Sequence, residues 1–209
     1  TRAIDQKIDR LIREAIAEAN RKAAEANRKA IEASRKATPN NTKIPTKEAV
    51  VAETKAIESS SKIVLTAEGK IIADNFKANK GRLPWPVERG VITEKFGTHT
   101  HPVLVKVSVD NPGINLTTEK DETIRAVFKG TVKNVFQVPG SNIAIIIQHG
   151  EYFTVYQGLV DVLVKKGDQV EIKQSLGKAY AGPNETSSQL HFEVYKGTSR
   201  MDPEVWLAK

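Results

Sequence analysis

Ile143-Ala144-Ile145-Ile146-Ile147-Gln148-His149-Gly150-Glu151-Tyr152-Phe153-Thr154-Val155-Tyr156 sets two apolar runs on either side of a His-Gly turn signal. β-Branched and aromatic side chains fit a pleated, half-buried surface, so Ile143–Gln148 and Phe153–Tyr156 predict strands joined by a hairpin turn. The same signature recurs upstream at Ile92–Phe96, Val103–Val109, Thr123–Phe128 and Thr131–Phe136. Downstream it recurs at Val170–Ile172, Lys178–Tyr180 and Leu190–Tyr195. Turn signals separate these runs: Asp110-Asn-Pro-Gly113, Pro139-Gly140-Ser141, Lys166-Gly167-Asp168 and Gly182-Pro183-Asn184. Many short strands at close spacing predict an antiparallel, mainly β domain over residues 83–209. The rigid, extended Pro84-Trp85-Pro86 leads into it.

The first 38 residues follow a different rule. Ala17-Glu-Ala-Asn-Arg-Lys-Ala23 recurs as Ala24–Ala30 and again as Ile31-Glu-Ala-Ser-Arg-Lys-Ala37. The seven-residue period sets Ile4, Ile8, Leu11, Ala15, Ala19, Ala23, Ala26, Ala30, Ala33 and Ala37 in one seam, with a four-residue stutter near Ala19. Residues 1–38 are therefore expected to be the end of a coiled coil, folded back or shared between chains; a lone exposed helix is the alternative. A start inside a helical repeat fits a piece or mature form of a longer protein.

Residues 39–82 read as a linker. It carries either a short helix near Lys47–Ile57 or a polar connection, then an amphipathic helix over about 66–80. Thr66 suits its N-cap, Leu65, Ile72 and Phe76 form a narrow apolar stripe, and Gly81 suits its C-terminal end. So short a helix needs a packing partner, and the following domain is the expected one.

The net charge of +7 is uneven. Residues 1–38 hold 10 Lys/Arg against 6 Asp/Glu, whereas residues 87–209 hold 14 of each. The basic excess sits on the N-terminal arm and the β domain is neutral, so no nucleic-acid partner is expected. The absence of cysteine excludes disulfide scaffolds, zinc ribbons and thiol catalysis. No apolar run reaches the ~18 residues a spanning helix needs, and no signal peptide is visible.

The blocks Leu83-Pro-Trp-Pro-Val87, Gly90-Val-Ile-Thr-Glu-Lys-Phe-Gly97, His101-Pro-Val103, Pro112-Gly-Ile114, Ala126-Val-Phe-Lys-Gly-Thr-Val132, Ile147-Gln-His-Gly150, Lys166-Gly-Asp168, Leu190-His-Phe-Glu193 and Asp202-Pro-Glu-Val-Trp-Leu207 occur in order. Together they resemble the LytM (lysostaphin-type) zinc peptidase domain. Phe76 through Val87, with the coiled coil ahead, resembles the EnvC-type murein hydrolase activators.

The resemblance implies a degenerate site. Active members hold zinc through a His-x-x-x-Asp pair and the second His of a His-x-His pair. The first His of that pair, and a His two residues after a Tyr, handle the catalytic water and the developing oxyanion. Here the metal positions read Asn111, Asn115 and His191, and the catalytic positions read Gln189 and Gly158. Neutral amides are poor zinc ligands, Gln is no general base and Gly has no side chain. No metal and no cofactor are therefore expected, and no enzyme activity. A site built from His99, His101 and His191 is the alternative for a metal. His149 matches a family position outside the zinc shell, with a structural or surface role.

What the resemblance leaves is a groove whose candidate contacts are Lys106, Asn111, Asn115, Tyr156, Gln157, His191 and Tyr195. It implies a periplasmic activator of a peptidoglycan amidase in cell division, docking the amidase in that groove. An inner-membrane, transporter-like division complex would engage the coiled coil, and the helix at 66–80 would lie over the groove as a restraining arm. Peptidoglycan is a further possible partner. The alternatives are a zinc endopeptidase, a non-catalytic peptidoglycan-binding module and a coiled-coil scaffold.

Overall fold

The computed structural model describes residues 2–37, 47–58, 60, 62–100, 108–138 and 142–209. Three helices come first: α1 (Arg2–Ala37), α2 (Lys47–Glu58) and α3 (Ala67–Ala78). Twelve strands follow: β1 (Val91–Glu94), β2 (Gly97–Thr100), β3 (Ser108–Asn111), β4 (Ile114–Glu119), β5 (Thr123–Arg125), β6 (Gly130–Gln137), β7 (Ile143–His149), β8 (Tyr152–Val160), β9 (Gln169–Val170), β10 (Ser175–Ala179), β11 (Ser187–Lys196) and β12 (Ser199–Met201). A 3₁₀ turn at Pro203–Val205 closes the chain. The main sheet runs β1-β4-β11-β8-β7-β6-β9, β10 joins β5 to β8, and β12 lies on β11. Every strand pair is antiparallel. This is the expected mainly β domain preceded by a long helix.

Three strands, β2, β4 and β12, escape the propensity reading. β4 carries Asn115, Thr117 and Thr118, so its composition is polar. Its signal is the alternation of buried Ile114 and Leu116 with Asn115 and Thr117, Thr118 continuing the buried face. β2, Gly-Thr-His-Thr, has no apolar residue and among the described residues pairs only with β3. Most of the expected strand Val103–Val109, with His101 and Lys106, lies outside the described residues.

Alternation gives the sheet two apolar faces. Ile145, Ile147, Tyr156, Leu190, Phe192 and Val194 enter the main core with Phe76, Leu83, Val87 and Trp206. Ile146, Phe153, Val155 and Tyr195 face the other way and meet Ile8, Ile12, Ala15 and Ile16 of α1. The sheet is therefore apolar on both sides, and α1 covers the second.

This changes the reading of α1. In its first half the buried positions are Ile8, Ile12, Ala15 and Ile16: Ile8 and Ala15 belong to the expected seam, Ile12 and Ile16 do not, and Leu11 of the seam is only half-buried. Ile4, Ile8, Ile12 and Ile16 recur every four residues, so they share one helix face. Burying an Ile fully is worth roughly 1.5–3 kcal/mol, several times what an Ala seam offers, so the sheet claims this half of the helix. Further along, Asn20 is buried: its amide donates to Ser60 O and Lys62 O at 3.0 Å each and accepts the Val64 N–H at 2.7 Å. These three bonds return the chain from α2 to α1. Ala23 and Ala24 are buried in the region where α2 packs, while Ala26, Ala30 and Ala33 of the expected seam stay exposed.

α3 is also placed differently from expectation. Thr66 caps it by accepting the Gly69 N–H at 3.2 Å, and Gly81 beyond its end takes φ +75°. Its apolar side is part of the main core and does not lie over a groove. Phe76 is fully buried and stacks on His149 and Tyr152 at 4.9 Å each, with Trp206 at 5.0 Å and Phe128 at 5.4 Å. Gly150 lets α3 approach this closely, because a Cβ there would meet Gly69 O at 2.4 Å.

His149 sits beneath Phe76 with both ring nitrogens satisfied, Nδ1 to Lys129 O at 2.7 Å and Nε2 to Thr154 Oγ at 2.8 Å. Burial pushes its pKa down from 6.5 to about 4, against the pull of the Lys129 carbonyl. Burial likewise pushes Tyr156 up to about 12. Its hydroxyl lies 3.4 Å from Thr154 Oγ and accepts the Val127 N–H at 3.0 Å. His149 is thus structural.

Phe76→Ala should lower unfolding free energy by about 3–5 kcal/mol. An unchanged urea midpoint would show that α3 lies outside the cooperative core. The unfolded chain protonates His149 near pH 6.5 and the fold only near pH 4, so the unfolded state binds more protons between these values. Stability should be full above about pH 6.5 and fall as the pH drops toward 4, by about 3 kcal/mol in total. Denaturation midpoints across this range should show the slope in the native chain and lose it in His149→Gln.

Candidate functional site

Strand β11 positions the site. Gln189, His191, Glu193 and Tyr195 share its outer face. Register sets Asn115 of β4 and Gln157 of β8 on either side of His191. These residues open into a cleft of about 360 Å³ lined by Asn111, Asn115, Gln157, Gly158, Gln189 and His191. Glu94 and Asp110 add acidic walls, and Ile4 and Asp5 of α1 close one end.

The cleft holds a continuous polar chain. His99 Nε2 lies 3.2 Å from Glu94 Oε1, and the Asn115 amide donates to Glu94 Oε2. Asn115 Oδ1 lies 2.6 Å from His191 Nδ1, and His191 Nε2 lies 3.3 Å from Glu193 Oε1. Gln157 donates to Glu193 Oε1 at 2.7 Å and the Tyr195 hydroxyl to Oε2 at 2.6 Å. Glu193 is fully buried. Burial opposes its ionisation, but the His191 contact, the Tyr195 hydroxyl and the Arg200 charge outweigh that and hold its carboxyl below the ordinary value. Burial, with the charge of Glu193, raises Tyr195.

Of the residues singled out from sequence, Asn111, Asn115, Gln157, Gly158, Gln189 and His191 line this cleft. Tyr156 and Tyr195 do not. Tyr156 sits one position off the outer-face parity and is buried in the main core. Tyr195 has the right parity but lies beneath α1. Lys106 is outside the described residues. Sequence reasoning passed over Glu94, Glu193 and Asp5. Glu193 was legible as the residue two beyond His191 on the same strand face; Asp5 was hidden in a segment read as coiled coil.

Each replaced position has its own local cause. Gly158 takes φ +93° at a bulge between the paired residues Gln157 and Leu159, and a Cβ there would meet Gln189 O at 2.8 Å. A histidine would not be accommodated there without backbone movement. Asn111 is nearly buried; its Oδ1 accepts the Gly113 N–H at 3.2 Å, and its Nδ2 has no partner among the described residues.

These donors do not fit a zinc ion. Catalytic zinc takes three His or carboxylate ligands. Here two of the three positions are neutral amides, and both nitrogens of the third, His191, already face Asn115 and Glu193. Among the described residues no three of His, Cys, Asp and Glu converge on a metal position. His99, part of the alternative metal set, instead pairs with Glu94.

Residues 109–203 match Peptidase family M23. The β domain carries this match over most of its length and is similar to M23 peptidase-family domains. Stage II sporulation protein Q of Bacillus subtilis (strain 168) is 33% identical over 98 residues, covering 44% of this chain and 34% of that protein. The solved SpoIIQ–SpoIIIAH pore-forming complex matches at 26% identity and TM-score 0.50, over 62% of this chain and 93% of the matched one. A zinc-containing peptidase from Vibrio cholerae matches at 29% identity and TM-score 0.51, over 60% of this chain and 40% of its own. The chain spans 22% to 34% of the length of the curated relatives it matches.

Competition with a chromophoric chelator tests the donor set. The native chain should take up no zinc, whereas Asn111→His with Asn115→Asp, beside His191, should create measurable affinity. Tight binding by the native chain would overturn this assignment of the site.

Proposed function

We propose that this chain is a non-catalytic activator of peptidoglycan amidases, acting in the bacterial periplasm during cell division and cell separation. Its vestigial peptidase cleft takes a segment of the amidase, under control of an N-terminal helical arm. The observation that carries this reading is Asn115. One neutral amide bridges Glu94 and His191, so the polar groups of the cleft satisfy one another while the cleft itself persists. Such a surface supports recognition rather than water activation. SpoIIQ, seen in a complex with SpoIIIAH, offers a precedent for an M23 relative with a protein partner.

The controlling arm in this reading is α1, whose first turn closes the cleft, and not α3. The exposed Ala26, Ala30 and Ala33 of α1 would serve a helical partner such as the transporter-like division complex. Binding to peptidoglycan itself would use the same cleft. A zinc endopeptidase would require ligands that Asn111 and Asn115 do not supply.

Dye release from labelled sacculi by amidases of the same cell tests the proposal. Ile8→Glu puts a carboxylate beneath α1 and should free the cleft, so this variant of the 209-residue chain should stimulate dye release more than the native chain. If neither stimulates any of those amidases, the activator reading is wrong. Dye release by the chain alone would overturn its non-catalytic part.

A further inference from the structure

The segment of α1 lying on the cleft has an internal repeat of its own, Ile4-Asp5-Gln6-Lys7-Ile8-Asp9-Arg10-Leu11-Ile12. Ile-Asp recurs at a spacing of four, so the isoleucines form one helical row and the aspartates a second row beside it. Both rows face the domain. Ile8 and Ile12 are fully buried against Ile146, Phe153, Val155 and Tyr195. Asp9 pairs with Arg200 of β12 at 3.7 Å, and Asp5 lines the cleft with His191. The basic residues of the same turns look elsewhere: Lys7 reaches Gln137 O and the Phe136 ring at the sheet edge, and Arg10 is exposed beside Glu14.

A carboxylate on the occupant is matched at Arg200, where Asp9 pairs, and not inside the cleft, whose walls carry Glu94 and Asp110. Asp5 feels His191 and Arg200 as favourable charges and Glu193 as an unfavourable one, and burial with Glu193 raises its pKa. The nearly buried Asn111 Nδ2, a donor with no partner among the described residues, adds a further group suited to an acceptor.

From the juxtaposition of these two rows with Arg200 and the apolar strip of the sheet, we infer that the docking surface selects an amphipathic helix with a carboxylate placed for Arg200. Its partner segment carries apolar residues at i, i+4 and i+8, a polar acceptor at i+1 and a carboxylate at i+5, and the first turns of α1 occupy the surface as a pseudo-ligand. The inference rests on the reading of this cleft as a docking site. The apolar row supplies affinity; Asp9, pairing with Arg200 at half-exposed positions where an ion pair is worth up to ~1 kcal/mol, supplies selectivity and register. Arg200 is the specificity-determining residue.

The test uses the full Ile8→Glu chain, with α1 loosened, and fluorescein-labelled synthetic peptides of residues 2–20 followed by anisotropy. The native peptide should bind. The Asp9→Asn peptide should bind up to about fivefold more weakly, the effect of one such pair. Arg200→Gln in the chain should weaken the native peptide and leave the Asn peptide unchanged. Equal binding of the two peptides would overturn the acidic selectivity while leaving the docking reading intact. Failure of every peptide to bind would overturn both. Displacement of the peptide by a soluble peptidoglycan stem peptide at matched concentration would overturn the assignment to a helix. Asp9→Asn placed within the intact chain gives an independent reading. Amide exchange in the first turns of α1 should speed up severalfold with the β domain unchanged, and unaltered exchange would overturn the inference.

Discussion

Strand β11 must serve two faces with one period-two sequence, and the rest of the molecule follows from that constraint. Leu190, Phe192 and Val194 go into the main core, which commits Gln189, His191, Glu193 and Tyr195 to the opposite face. That face cannot be left to solvent as it stands, because Phe153, Val155 and Ile146 lie beside Tyr195. An apolar strip running into a polar cleft needs a cover that is apolar at one end and polar at the other. The first turns of α1 meet both needs, with isoleucines over the strip and Asp5 at the cleft.

The buried carboxylate of Glu193 ties the two ends together. A lone buried charge would be costly, yet Gln157, Tyr195 and His191 supply partners and Arg200 supplies countercharge. Tyr195 faces α1 and His191 faces the cleft, so whatever occupies the cleft is felt by the same network that underlies the helix. Removing one partner would leave a buried polar group unsatisfied, which is the energetic reason such networks behave as units.

The two helices exchange the roles expected of them. α3 has a stripe that is narrow but aromatic, and Phe76 fills a slot among His149, Tyr152, Phe128 and Trp206 that nothing else in the chain fills. α1 has a longer repeat of small residues, which suggests a coiled coil, but its isoleucines at the start outweigh the alanines. Side-chain volume decides which surface each helix takes, because transfer energy scales with buried apolar area.

Most of the strand pattern and the helix at 67–78 with its Thr66 cap were legible in the residues themselves, whereas Asn111, Asn115, Gly158 and Gln189 were legible as replaced site positions only through the resemblance to the LytM domain. The strands and the helix depend on local period and capping. Also legible, once β11 is a strand, is that Glu193 shares a face with His191. What only the tertiary structure decided is which surface covers which: that Tyr156 turns inward, that Tyr195 is roofed by α1, that His149 is sealed beneath Phe76, and that Asp5 reaches the cleft. Periodicity states that a helix has an apolar face and is silent on the surface that will bury it. That choice is made by shape and volume across contacts more than a hundred residues apart.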